Sequence, residues 1–394
     1  MSAGTLLVYN ARLYTPAAVW EPGWLLVEEG RIWGLGPGEP PSFEPGQVGR
    51  RLDARGHSLL PGFVDLHVHG AVGYEAMDAD PDGLRAMARF YARHGVTAFL
   101  PTTWTGARPV IDRALGAIAQ AVGRVPGGAT ILGAHLEGPY LNPDKCGAQD
   151  IRQIRRAGPE EALAWLDTGV VRLIALAPEY EENLWLIDEC TRRGITVSAA
   201  HTTAGYEELQ RAVAHGLRQV THCFNAMAPL GHRELGTVGA AMALDEINCE
   251  LIADNLHVHP AAINILVKVK GPERVILVTD AIRGAGMAEG EYAIDEDRRV
   301  RVQDGAVRLP DGTLAGSILT MERALANAVA ATGRSLAELW PLSSLNAARA
   351  IGATNKGALE VGRDADLVLL DDDFEVALTV AEGEIVYERG EANH

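Results

Sequence analysis

From Ser58 onward, short apolar runs alternate with amphipathic segments of helical period, and this alternation limits the chain to very few architectures. The runs are Leu59 to Asp65, Val96 to Pro101, Ala129 to His135, Val171 to Ala177, Ile195 to Ala200, Gln219 to Phe224, Cys249 to Ala253 and Val275 to Thr279. Each has the length of a buried strand rather than of a helix. Between them lie amphipathic stretches such as Asp80 to His94, Arg108 to Val122, Glu181 to Arg193, Tyr206 to His215 and Pro260 to Val269. Gly95, Gly194 and Gly216 stand where a helix end favours a left-handed residue. Eight strands alternating with helices predict an α/β chain folded as a parallel (β/α)8 barrel of the TIM type.

The chain ends differ. Residues 1–57 and 355–394 read as short strands broken by Gly and Pro, with cores such as Trp24-Leu25-Leu26-Val27 and Leu367-Val368-Leu369-Leu370. Neither piece is large enough to bury a core alone. Together they are predicted to form a small β-sandwich domain beside a barrel domain of residues 58–354. A hairpin is expected over Glu291 to Leu309. Helices are expected over Thr320 to Ala331 and Leu336 to Ile351, the latter with Ser335 as N-cap.

Charge and composition exclude several functions. The 394 residues carry a formal net charge of −17, which disfavours nucleic acid and anionic lipid as partners. No apolar run reaches the roughly 18 residues of a membrane helix. The N-terminus lacks a basic segment followed by a signal core, so a cytoplasmic location is expected. Cys146, Cys190, Cys223 and Cys249 form no Cys-x-x-Cys pair, which suits reduced thiols.

The chemistry gathers where the strands end, the face that carries the active site in such barrels. Asp65, His67 and His69 alternate with Val64, Leu66 and Val68 and so share one strand face. Two imidazoles at that spacing reach one metal ion, although His-x-His alone is more often a hydrogen-bonded pair. Strand three ends in His135-Leu136-Glu137, strand five in His201, strand six in His222 and strand eight in Asp280. Burying so many ionisable groups at one rim is costly unless they pair with each other or with a metal. Imidazole with carboxylate suits Zn²⁺, with Fe²⁺ also possible.

These residues, with Pro61-Gly62-Phe63-Val64-Asp65, His135 to Leu141, Thr221 to Met227, Ile252 to Val258, Leu277 to Ala281 and Gly316 to Met321, resemble the amidohydrolase superfamily. Within it the chain is similar to the N-acetylglucosamine-6-phosphate deacetylases over nearly its whole length. That resemblance implies a divalent ion held by Glu137, His201 and His222. It implies a second at His67 and His69 with Glu137 shared, hence one or two ions per subunit. Strand four contains no Lys to carry the bridging carboxylate many amidohydrolases use, consistent with Glu137 in that role. Asp280 is implied as general base and then acid, and His257 as the group that orients substrate and steadies the oxyanion. Backbone N–H groups of Asn225 and Ala226, with Arg233, are implied to grip the phosphate, and Gln149 a sugar hydroxyl. Arg233 read by itself is equally a surface ion-pair residue, and Leu235 stands where the family usually has Pro.

The implied reaction converts N-acetylglucosamine 6-phosphate to glucosamine 6-phosphate and acetate, in amino-sugar catabolism and cell-wall recycling, by a homodimeric enzyme. The galactosamine epimer is the near alternative substrate. A cyclic-amide hydrolase is disfavoured by the missing strand-four Lys, and a non-catalytic scaffold by the retention of every ligand and of Asp280.

Overall fold

The computed structural model describes residues 5–44, 46–294 and 298–390; the first four residues and the tip of the expected hairpin lie outside the described residues. The barrel strands are Phe63–Val68, Val96–Thr103, Ala134–Glu137, Val171–Leu176, Thr196–Ala199, Gln219–Val220, Asn248–Leu251 and Val275–Leu277, called strands one to eight below. Each pairs in parallel with the next. The ring closes through a parallel bridge from Val68 to Ala281, just beyond strand eight. There the Asp280 N–H donates to His67 O and the His69 N–H to Ala281 O, both at 2.8 Å. Below this seam the Thr279 hydroxyl donates to Asp65 Oδ2 at 2.5 Å.

Side chains of the strands, including Leu66, Leu100, Leu136, Ile174, Val197, Leu251 and Leu277, join those of the helices in one continuous core. The predicted helices form at Pro81–Arg93, Arg108–Ala121, Glu181–Arg192, Tyr206–His215 and Pro260–Lys270. Asp80 caps the first by accepting the Asp82 N–H. Strand three is interrupted by Gly133 at φ +148°, where a Cβ would lie 2.4 Å from Val170 O, so only glycine fits.

Both chain ends enter one mixed sheet. Its order is Glu384–Glu388, Val376–Ala381, Leu367–Leu370, Ser58–Pro61, Leu6–Tyr14, Val19–Glu28 and Arg31–Pro37, with Arg50–Asp53 also on Leu6–Tyr14. Leu6, Val8, Leu25, Leu367 and Leu378 share an apolar cluster of its own. The run Leu59 to Asp65 is thus divided between two sheets. Pro61 brings no N–H, and the Gly62 N–H donates to Asp366 O at 2.9 Å. The chain then crosses into the barrel at Phe63.

Two local expectations change. The helix expected over Leu336 to Ile351 is broken into Leu336–Leu339, a 3₁₀ turn at Trp340–Ser343, and Leu345–Ala350. Pro341 cannot donate the hydrogen bond that continuation needs. Its N-cap does form: the Ser335 N–H donates to Glu338 Oε2 at 3.0 Å. The insertion after strand eight has three strands, Gly290–Ala293, Arg299–Gln303 and Ala306–Arg308. Its Val300, Val302 and Val307 pack with Trp104, Ala148 and Ile282 over the barrel mouth. No helix among the described residues is long and apolar enough to cross a membrane.

Barrel and mixed sheet are tied by a buried lysine. Lys356 Nζ lies 2.9 Å from Asp364, 2.9 Å from Asp366 and 2.8 Å from Glu382. Glu382 also accepts the hydroxyl of Thr130, next to strand three. Burial alone would raise the Glu382 carboxyl, but the Lys356 hydrogen bond holds it below its ordinary value. Lys356→Met leaves these acids uncompensated and is expected to destabilise the fold by about 3–5 kcal/mol, read as a lower urea midpoint. Because Glu382 is lowered in the fold, its contribution is present above the ordinary carboxylate pKa and is lost as pH falls through the lowered value. The deficit of the variant should therefore shrink in acid; an equal deficit at pH 7 and pH 3 would contradict this account.

Candidate active site and metal centre

The ends of strands one, three, five, six and eight converge on a cleft of about 350 Å³ lined by His69, Glu137, His201, His222, His257 and Asp280, among others. His201, His222 and Asp280 each follow the end of a strand and take left-handed backbones, with φ of +44°, +33° and +50°. Such conformations cost of order 1–3 kcal/mol each in non-glycine residues and persist where the surroundings impose them. Here they turn the chain away from its strand and leave the side chain in the mouth.

Two triads result. In one, Glu137 Oε1 lies 3.3 Å from His201 Nε2 and 3.1 Å from His222 Nε2, and the two nitrogens are 3.3 Å apart. In the other, Asp280 Oδ1 lies 3.4 Å from His67 Nε2 and 3.3 Å from His69 Nε2, themselves 3.4 Å apart. Glu137 joins them, with Oε2 3.2 Å from His69 Nε2. All six residues are buried. Tetrahedral zinc with Zn–N bonds of 2.0–2.1 Å separates its ligand nitrogens by about 3.3–3.4 Å, so both pairs of imidazoles have the spacing of a common cation.

Three of the four outer nitrogens agree, that of His222 having no hydrogen-bond partner among the described residues. Nδ1 of His201 donates to Lys145 O at 2.8 Å, that of His69 to Thr102 O at 3.1 Å and that of His67 to Glu250 Oε2 at 3.2 Å. A neutral ring held this way points its Nε2 lone pair inward, as a metal ligand must. Trp104 stacks on His69 with centroids 4.0 Å apart, and its indole N–H donates to Glu75.

Charge in the pocket follows from these contacts. Burial alone would lower His69, but Asp280 and Glu137 raise it to about 9. Burial alone would raise Asp280, but His67 and His69 lower it to about 2. Glu137 is held well below the carboxylate range against its own desolvation, chiefly by His67 and then His201 and His222. The pocket therefore keeps carboxylate charge for whatever cation enters.

The other residues singled out from the sequence fall in different places. His257 lines the cleft, and its Nδ1 lies 2.6 Å from Asp254 Oδ2. Burial alone would raise Asp254; the His257 hydrogen bond lowers it, so it stays ionised. Gln149 lines the cleft but its amide is engaged in the protein: Nε2 donates to Glu137 Oε2 at 2.7 Å and Oε1 accepts the Thr105 N–H at 2.8 Å. These contacts brace the metal ligand Glu137 and fix the amide at the cleft wall. The Asn225 N–H likewise donates to His222 O at 3.0 Å instead of facing the cleft, whereas the Ala226 N–H has no acceptor among the described residues. Arg233 is exposed, lies outside the cleft lining and makes no ion pair among the described residues. Asp65 shares a strand face with His67 but sits one step deeper and binds Thr279 instead. Sequence reasoning assigned no role to Glu250 or Asp254; a charged residue in the middle of Cys249-Glu250-Leu251 is the signal that could have marked the first.

The Amidohydrolase family matches residues 58–386. An N-acetylglucosamine-6-phosphate deacetylase of Bacillus subtilis is 35% identical, the match covering 99% of each chain. An N-acetylgalactosamine-6-phosphate deacetylase of Escherichia coli O157:H7 is 37% identical over 93% of this chain and 96% of its own. Among solved structures, a Mycobacterium smegmatis N-acetyl-D-glucosamine-6-phosphate deacetylase variant in complex with N-acetyl-D-glucosamine 6-phosphate superposes with a TM-score of 0.89 at 32% identity, covering 98% of this chain and 100% of that one.

A metal held only by the folded state stabilises it, by about 4 kcal/mol when free metal is a thousand times Kd. Chelation is expected to lower the thermal midpoint of the wild type, and Glu137→Gln to reduce that difference. Since His69 is raised to about 9, loading must expel its proton, and affinity measured by competition with a chelator should fall as pH is lowered from 9.

Proposed function

The chain belongs to the amidohydrolase family, and within it we propose that it hydrolyses the acetamide of N-acetylglucosamine 6-phosphate to glucosamine 6-phosphate and acetate. The observation that carries this reading is the pair of triads sharing Glu137, with Asp280 and the Asp254–His257 couple facing the same cleft. Glu137, His201 and His222 would hold one divalent ion and His67, His69 and Asp280 a second, zinc or iron in each case. Such ions polarise an amide carbonyl and acidify a water.

The protein groups supply proton transfer and orientation. Asp280, ionised and at the cleft wall, accepts the proton of the attacking water at a carboxylate oxygen and returns it to the departing amine. Asp254, fixed as an anion, holds the His257 ring at the cleft through Nδ1, which places it to orient the substrate and steady the developing oxyanion. The Ala226 N–H offers a donor to the phosphate. Arg233 stands on the exposed segment 231–235, from which it meets the phosphate as a bidentate partner when substrate docks or across a homodimer. Exposed Leu230 and Leu256, at 56% and 46%, fit a partner subunit on that side. The reaction belongs to amino-sugar catabolism, and the chain is read as cytoplasmic.

The galactosamine epimer is the second reading, because relatives named for the two epimers resemble this chain to nearly the same degree, 35% and 37%. Acetate release from each phosphorylated epimer, with metal content measured on the same sample, tests both; release from neither would end the proposal. Asp280→Asn is expected to lower kcat by about 10²–10⁴ while the ion at Glu137, His201 and His222 is retained. His257→Asn is expected to lower kcat by about 10²–10³ with a much smaller change in KM.

A further inference from the structure

Glu250 is a buried acid for which the mechanism above has no use. It lies within Asn248–Leu251 of strand seven and has no exposed surface. Its one ion-pair partner among the described residues is His67; no arginine or lysine reaches it. Two other buried acids do have such a partner: Glu75 meets Arg283, and Asp366 meets Lys356. A buried carboxyl group is costly unless its oxygens are hydrogen-bonded, so where its contacts go shows what it is for.

All of its contacts lead into the metal centre or brace it there. Oε2 accepts the His67 Nδ1–H at 3.2 Å and the backbone N–H of His222 at 3.3 Å. Oε1 accepts the Gln219 side-chain N–H at 2.6 Å. His67 belongs to one triad and His222 to the other, so a single carboxylate fixes a ring of the first and the strained backbone of the second. Two divalent ions in the cleft would meet only Glu137 and Asp280 as ligand carboxylates. Glu250 lies behind the His67 ring, and accepting the Nδ1–H leaves Nε2 free to ligate.

We infer that Glu250 is the positioning residue that allows the His67–His69–Asp280 triad to hold its own divalent ion, separately from the ion at Glu137, His201 and His222. The inference rests on the metal-dependent reading above.

The test is metal stoichiometry. Wild-type holoenzyme, Glu250→Gln and Gln219→Ala are dialysed at limiting zinc, analysed for metal per chain, and titrated with a chromophoric chelator. The wild type is expected to hold two ions and Glu250→Gln one, with the weaker ion bound about 10–100-fold less tightly. Cobalt-substituted Glu250→Gln should lack the absorbance of one of the two sites, which a merely structural defect would not remove selectively. Gln219→Ala keeps the carboxylate but loosens it; it should weaken the same ion by less, and it decides the matter if Glu250→Gln does not fold. Two ions held as tightly in both variants as in the wild type, or equal loss of both ions, would overturn the inference. A wild type that binds one ion and still releases acetate would also overturn it while leaving the deacetylase reading standing. A wild type that binds no metal and releases no acetate would sink that reading instead.

Discussion

The structure depends on Glu137, a carboxylate placed between two pairs of imidazoles. Its oxygens lie 3.1–3.3 Å from nitrogens of His201, His222 and His69. Without that carboxylate, His201 and His222 would lose the acid that completes their triad, and the two triads would lose the group that joins them. The surroundings hold Glu137 still. Gln149 donates to one oxygen and is itself fixed by the Thr105 backbone. The loop that carries Gln149 also presents Lys145 O to His201. That loop is therefore part of the metal centre as well as a wall of the cleft.

Barrel closure places the second triad. Strands one and eight are the first and last of the ring, and they meet only through the Val68–Ala281 bridge and the hydrogen bonds around it. His67 and His69 come from one side of that seam and Asp280 from the other. The Asp65–Thr279 hydrogen bond locks the register just beneath. A slip of one residue at this seam would turn both histidines or the aspartate out of the site. Fold closure and the second triad thus depend on the same few contacts.

Much of this was legible from the sequence because it follows from period and parity. The eight runs and their helices follow from spacing alone, and Asp80 and Ser335 mark helix starts by capping chemistry. Glu137, His201, His222, His67, His69 and Asp280 could be picked out because charged groups at the ends of apolar strands need a common partner. What escaped depends on distances between segments far apart in sequence. Gln149 was marked by the resemblance as a sugar contact; that its amide also donates to Glu137 depends on the fold. Asn225 looked like a phosphate donor, yet its N–H closes the turn that His222 begins. Pro341 was visible as a helix breaker, but helical periodicity across Leu336 to Ile351 masked it.

Chemistry and selectivity are carried by different parts of the chain. The groups that hold metal or move protons sit on strand ends or the first residues beyond them, where backbone is fixed by parallel pairing on both sides. The remaining cleft wall comes from connections: Asp144 to Gln149, Asn225 and Ala226, and Thr313 to Gly316 at the foot of the three-stranded insertion. The two epimers differ in the direction of one hydroxyl, remote from the amide that reacts. Discriminating them requires a hydrogen-bonding group on a connection, and moving one leaves the triads untouched. Relatives named for either epimer stand at nearly equal identity to this chain, 35% and 37%, so overall identity does not separate the two substrates.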